Sequence, residues 1–166
     1  MKGEDIKRKI LEWLVDAGLT VQPSPQPPPN ADWALTATTP PPLRVNLTLL
    51  GRGDIVAAGI GVRFSPPHME ALRGLDAEER VRFSAELMRS VAQLCPPCRI
   101  ALQGPLHEPQ GLAAEVVYTA ESLDRQKLLE EVARLVNVYL VVNSLLWERF
   151  PSLHIPREGG SATTFM

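Results

Sequence analysis

The stretch LRVNLTLLGRGDIVAAGIGVRF, Leu43–Phe64, decides the fold class. Its first half alternates, with Leu43, Val45, Leu47 and Leu49 on one side and Arg44, Asn46 and Thr48 on the other. Side chains of a strand point to opposite faces in turn, so this pattern marks a strand with one face in the core. Gly51-Arg52-Gly53-Asp54 then makes a turn, because glycine tolerates positive φ. Ile55–Phe64 returns with Val56, Ala58, Ile60, Val62 and Phe64 inward, and with Gly59 and Gly61 on the opposite face. The product is an antiparallel hairpin. Its Arg-Gly-Asp tripeptide is a turn, not an adhesion signal.

Working outward, Asp32–Thr39 alternates Trp33, Leu35 and Ala37 against Ala34, Thr36 and Thr38, which adds a strand upstream. Arg99–Gln103 and Leu112–Thr119 form a second strand pair downstream. Helices fill the gaps. Residues 4–17 place Ile6, Ile10, Trp13, Leu14 and Ala17 on one face, with Glu4 and Asp5 in the first turn and Gly18 as C-cap. Ser65-Pro66-Pro67 opens a short helical turn that Gly74 interrupts. Asp76-Ala77-Glu78-Glu79 caps a longer helix carrying Val81, Leu87, Met88, Val91 and Leu94 inward, and Cys95-Pro96-Pro97 stops it. A last helix begins near Ser122 and Asp124 and ends at Phe150-Pro151. The expected order is α-β-β-β-α-β-β-α, an α+β fold with helices packed on an antiparallel sheet.

With 166 residues the chain is expected to form a single domain over 1–155. Clusters at Pro23–Pro29 and Pro40–Pro42 read as stiff extended loops, the first giving a proline-rich connector over 22–29. The polar, glycine-rich end, residues 156–166, reads as a flexible tail.

The run VARLVNVYLVVNSLLW, Val132–Trp147, is apolar around most of its girth. Leu128, Val132, Leu135, Val136, Tyr139, Val142, Asn143 and Leu146 draw one stripe, and Leu129, Val138, Leu140, Val141 and Leu145 fall largely outside it. A helix greasy on two sides is buried on two sides. In a chain this short the second side is expected to meet another copy, with Val138, Val141 and Leu145 at a homodimer interface. At sixteen residues, interrupted by Arg134, Asn137 and Asn143, the run is too short to span a membrane.

This element order resembles the fold of the bacterial type III secretion chaperones, the Tir chaperone-like fold, and of prokaryotic families of that fold. The resemblance rests on the opening helix ending in Trp13-Leu14, the meander Trp33–Phe64, the helix Asp76–Cys95, the pair Arg99–Thr119 and the last helix, about residues 4–150. It implies a small homodimer without catalytic activity. It also implies a surface that holds an extended segment of a partner protein against exposed apolar patches. The likeness is one of topology and carries over no site residue.

Chemistry-bearing residues are sparse. Cys95-Pro96-Pro97-Cys98 suits a redox pair or half a zinc site, but Cys95 closes a helix at its C-terminus, where the dipole disfavours a thiolate. Four-ligand zinc would need His68, His107 and His154, each isolated in sequence. Reduced, disulfide-bonded and metal-bound states all stay open for the pair. His68 has Glu70 and Glu108 as conceivable partners but no nucleophile at an elbow, so no catalytic residue is expected, and no cofactor. His107, in the loop between the last two strands, reads as solvated. A net charge of -2, with Lys7-Arg8-Lys9, Arg80, Arg82 and Arg89 offset by nearby Glu residues, argues against nucleic acid. The mixed charges of MKGEDIKRKI do not resemble a secretory signal, so the expected compartment is the cytoplasm.

The resulting expectation is a non-enzymatic, homodimeric, chaperone-like protein-binding module. Its partner surface is expected on the sheet face bearing Arg44, Asn46, Thr48, Gly59 and Gly61. The alternative is a metal- or redox-linked regulator built on Cys95 and Cys98.

Overall fold

The structure, a computed structural model, describes residues 3–153. One antiparallel sheet of six strands runs in the order β1-β2-β3-β4-β6-β5. The strands are β1 (Thr20–Pro23), β2 (Trp33–Thr38), β3 (Asn46–Arg52), β4 (Ile55–Arg63), β5 (Arg99–Gln103) and β6 (Gly111–Thr119). The helices are α1 (Gly3–Asp16), α2 (Pro66–Arg73), α3 (Ala77–Leu94) and α4 (Arg125–Arg149). The fold is α+β, as the hydropathy pattern implies.

The hairpin that decides the class pairs Leu49 with Ala58 and Gly51 with Val56 across β3 and β4. All five inward residues of the return strand, Val56 to Phe64, are buried. In the turn, Gly53 takes φ 58° and its N–H donates to Asp32 Oδ2 at 2.8 Å. Gly51 has a different reason to be glycine. It pairs with Trp33, and a Cβ there would sit 2.0 Å from the indole ring. The ring lies directly over the bare backbone and becomes nearly fully buried.

The expected strand over Leu43–Leu50 starts later, at Asn46. Leu43 and Arg44 belong to the preceding turn, where Arg44 takes φ 45°, although Val45 is fully buried. A second difference is β1. Thr20–Pro23 pairs with β2 from Thr20↔Thr38 to Pro23↔Leu35, so the expected connector begins inside a strand. An edge strand can end in proline, because one side of its ladder needs no donor. The expected tail over 156–166, and His154, lie outside the described residues.

Helices α1, α3 and α4 lie on one face of the sheet. Ile6, Ile10 and Leu14 of α1 are buried over the β1–β3 half, and Gly18 at φ 93° closes that helix with Leu19 N–H donating to Leu14 O. The Asp76 carboxylate accepts from Glu79 N–H at 2.9 Å and starts α3. The face that α3 buries is Phe83, Ser84, Leu87 and Val91, whereas Val81, expected inward, is 38% exposed. Asp124 caps α4 by accepting from Lys127 N–H, while Ser122 belongs to a separate 3-10 turn, Ala120–Ser122.

Helix α4 is central. It touches β4 and β6 beneath it, with α1 and α3 as neighbours. Of the main stripe, Leu128, Val132, Leu135, Tyr139, Val142, Asn143 and Leu146 are buried, whereas Val136 is only half-buried. Val138 is a correction. It is 0% exposed within the single subunit, so it belongs to the core and cannot meet a second copy. The neighbours α1 and α3 account for part of the apolar girth that a partner was invoked to cover. Val141 and Leu145 are half-buried, while Leu140 and Trp147 are 44% and 40% exposed.

Candidate functional site

The three covering helices leave the other face of the sheet open, and its side chains are small. Strand register sets them in rows. Gly61, Ala113 and Ala101 stand abreast on β4, β6 and β5. The next row runs Thr48, Gly59, Glu115 and Arg99, and the following one pairs Leu50 with Ala57. With so little side chain standing on three adjacent strands, a shallow and mainly apolar trough of about 320 Å³ forms. Leu50 and Thr48 flank it on β3. Across its floor Arg99 and Glu115 form an ion pair at 3.0 Å with side chains 70% and 46% exposed, so the pair contributes little to stability.

The two glycines differ in why they are glycine. Neither has positive φ. A Cβ on Gly59 would approach Ala114 O at 3.2 Å and Glu115 Cβ at 3.3 Å, so the backbone is crowded there. A Cβ on Gly61 would meet nothing nearer than Gln103 Nε2 at 3.7 Å, an ordinary contact. Glycine inside a strand sacrifices conformational entropy and packing. Nothing in the folded chain requires that loss at Gly61, and what it leaves is empty space on the floor of the trough.

Of the residues expected to form a partner surface, Thr48, Gly59 and Gly61 line this trough. Asn46 lies on the same face but outside the trough, where its Oδ1 accepts a hydrogen bond from Thr38 Oγ1 at 2.7 Å. Arg44 is off the sheet in the turn before β3, so its assignment to the sheet face is corrected. Sequence reasoning missed Ala101 and Ala113. Their alternation was visible, but only the strand order β4-β6-β5 places them beside Gly61.

Cys95 and Cys98 are joined by a disulfide. Cys95 ends α3 and is fully buried, and Cys98 is half-buried immediately before β5. The bridge therefore ties the end of a core helix to the edge strand that walls the trough. Among the described residues, no group of three or more His, Cys, Asp or Glu side chains is placed to hold a metal ion.

The histidines lie elsewhere. His68 is buried in α2 with its Nδ1 2.7 Å from Ser65 Oγ and its ring against Phe150, and burial lowers its pKa. It pairs with the residue that caps its own helix. His107 is exposed in the β5–β6 loop, and its carbonyl accepts from Arg80 Nε at 2.6 Å. Ser84 Oγ donates to Leu106 O, so α3 holds that loop at two points. On the covered side, buried Glu131 pairs with Arg134 at 2.9 Å, and Tyr118 has its pKa raised by burial and by Glu131. Among the described residues, no helix is long and apolar enough to cross a membrane.

No curated protein matches this chain. A solved structure described as an uncharacterized protein from Methanothermobacter thermautotrophicus is similar, with a TM-score of 0.76 at 18% identity. The alignment covers 87% of this chain and 99% of that one, so the two share a fold. Residues 6–146 match the family described as Uncharacterized conserved protein (DUF2299), and the chain belongs to that family.

Proposed function

We propose that this chain is a non-enzymatic, chaperone-like module, working as a homodimer, that holds an extended segment of another protein on its open sheet face. The observation that carries the reading is the vacancy above Gly61, Ala113 and Ala101, which no element of the described chain fills. Small floor residues allow a second backbone to approach closely, and the apolar lining rewards side chains withdrawn from water. The likeness in element order to the secretion chaperones supports the same reading. Intracellular work in the cytoplasm belongs to this proposal.

Random-peptide display against the purified protein tests it. Enriched sequences should bind the natural chain and lose at least about tenfold in affinity to Gly61→Leu, a difference of about 1.4 kcal/mol. Gly61 has room for a Cβ and the open trough lies above it, so the fold should survive and only the trough should fill. Absence of enrichment, or equal binding by the variant, defeats the proposal.

A second reading is favoured by the disulfide at the edge of the trough: a redox-linked regulator using Cys95 and Cys98. A dithiol reductant attacks Cys98 sulfur, forms a mixed disulfide and resolves it, leaving two protein thiols and an oxidised reductant. Amide exchange over residues 99–103 should quicken on reduction. Unchanged exchange removes this reading.

A further inference from the structure

The two edges of the sheet are treated differently. At one, β1 ends in Pro23, which has no N–H to offer a further strand. At the other, β5 reads Arg-Ile-Ala-Leu-Gln, with no proline, glycine or lysine to discourage pairing. The ladder shows where its free groups lie. One step beyond the Arg63↔Gly111 pair, Phe64 N–H donates to Gln110 O, so even-numbered residues of β6 bond to β4 and odd-numbered ones to β5. Ala101 therefore bonds to Ala113, and the N–H and C=O of Ile100 and Leu102 point away from β6. Among the described residues no strand lies beyond them.

The core is also left ajar on this side. Leu112 and Ala114 of β6 are buried, but their neighbours Leu102 and Ile100, on the same face of β5, are only half-buried. Helix α3 packs on β5 and against α4, with Glu79 turned toward Arg149 of α4. Val81, Ala85, Met88 and Ala92 stand between about 180° and 240° around α3 from Glu79, on the flank away from α4. Val81 is 38% exposed, Ala85 and Ala92 are exposed and Met88 is half-buried. Edge and flank together form one apolar side, two layers deep.

We infer that this side joins a second copy of the chain: β5 pairs antiparallel with the second copy's β5 about a two-fold axis at Ala101, and the two α3 helices meet flank to flank above the join. The free groups match themselves under that axis. Ile100 of each copy faces Leu102 of the other and exchanges both backbone bonds with it, while their half-buried side chains cover one another. Ala101 meets Ala101 in the closer, non-hydrogen-bonded kind of pair, at about 4.5 Å between Cα atoms, where small side chains fit. Arg99 faces Gln103, and the two Arg99 stay about 14 Å apart, so no like charges meet. A closed parallel pair would carry the two α3 helices to opposite faces of the joined sheet and leave both apolar flanks bare. A strand pair with a helix flank above it hides on the order of 1,000 Å² in total, the lower bound for a specific interface.

The axis also makes two bare rows into one. Gly61, Ala113 and Ala101 of one copy run on into Ala101, Ala113 and Gly61 of the other, so the two open faces share a single channel. The inference deepens the homodimer half of the proposed function and moves its interface from Val141 and Leu145 to β5 and α3. Only the shared channel rests on the trough.

Sedimentation equilibrium of the full chain, across about 1 to 100 μM, tests it. A dimer is expected, and Leu102→Pro, which deletes an outward N–H and spares the β6 ladder, should weaken it about 100-fold with far-UV circular dichroism unchanged. Ala85→Glu, exposed on the α3 flank, should weaken it at least about tenfold without touching the sheet. Ala101→Cys should form a covalent dimer under mild oxidation, because the spacing across the axis suits a disulfide. Thr20→Cys, on the β1 edge, should not. Cross-linking at Thr20 in preference to Ala101 overturns the arrangement, as does a dimer that Leu102→Pro and Ala85→Glu both leave intact. A wild-type chain that stays monomeric ends the inference. Gly61→Leu should leave the dimer intact whatever it does to peptide binding, so failure of the trough reading and failure of this one are separable.

Discussion

The two faces of the sheet are built from the same strands and share almost no chemistry. Beneath the helices stand Leu35, Leu47, Leu49, Val56, Ile60, Val62, Leu112 and Val116, all buried. On the far side, between the same positions, stand Thr36, Thr48, Ala57, Gly59, Gly61, Ala101 and Ala113. The first set is what folding demands of a sheet covered by helices. A merely solvated face has no need to be small. Lysine, glutamate and arginine are the usual occupants of an exposed strand face; here one such pair, Arg99 and Glu115, stands beside the row Gly61, Ala113 and Ala101, which stays bare. Helix α4 repeats the contrast, with Val138 sealed inside and Leu140 two residues later facing out. Burial answers to the fold, whereas the composition of an uncovered face answers to what meets it.

The largest predicted effect sharpens the contrast on α4. Val138→Asp places an unpaired carboxylate in the core and should cost about 4 kcal/mol or more, read as a lowered urea midpoint. Leu140→Asp, on the outward side, should stay within about 1 kcal/mol of the wild type when association is suppressed by dilution. Near-equal losses would break the distinction between the two sides. Next come the glycines. Gly51→Ala drives a methyl into the Trp33 ring and should cost about 1–3 kcal/mol, with a change in tryptophan fluorescence as the ring shifts. Gly61→Ala should be neutral or stabilising by up to about 1 kcal/mol, since open space receives the methyl. A substantial loss at Gly61 would mean that the fold, and not a partner, needs the glycine.

The covered face was the legible one. Alternation in Leu43–Phe64 and Leu112–Thr119 marks inward positions directly, because a one-residue slip would invert every side chain. Caps at Asp76 and Gly18 were equally readable, since their chemistry is local. What escaped is what depends on neighbours distant in sequence. The four residues of β1 are too short and too polar to alternate visibly, and Pro23 argues against a strand until β2 lies beside it. Val81 and Phe83 differ by two positions on α3, and Phe83 turns inward against the Phe64 ring, a neighbour that no window around α3 contains. Val138 was assigned to an interface because sequence counts grease on a helix but not the helices that flank it. The trough is assembled from β4, β6 and β5, strands separated by α2 and α3, so no window of sequence contains it.

Smaller effects test whether the ends of the covering layer are held as the geometry implies. Asp76→Ala removes the acceptor for Glu79 N–H and should cost about 1 kcal/mol, as should Asp124→Ala at α4. These losses should leave peptide binding at the trough unchanged, because both caps sit on helices of the opposite layer.

The smallest effect is confined to the acid side of neutrality and belongs to His68. Burial lowers its pKa below the ordinary value of 6.5, so the folded chain holds the ring neutral beside Ser65 and Phe150. The unfolded chain takes up the proton first as the pH falls. Where the unfolded state binds more protons, stability rises with pH. His68 therefore contributes stability in full above pH 6.5, and that contribution fades as the pH drops through 6.5 toward the folded value. Urea unfolding at pH about 7.5 and about 5 should show the wild type losing more stability than His68→Gln over that interval. Any acid loss common to both proteins comes from other groups and cancels in the comparison. Equal losses would mean that His68 titrates alike in both states, and that α2 holds its ring less tightly than the 2.7 Å contact with Ser65 implies.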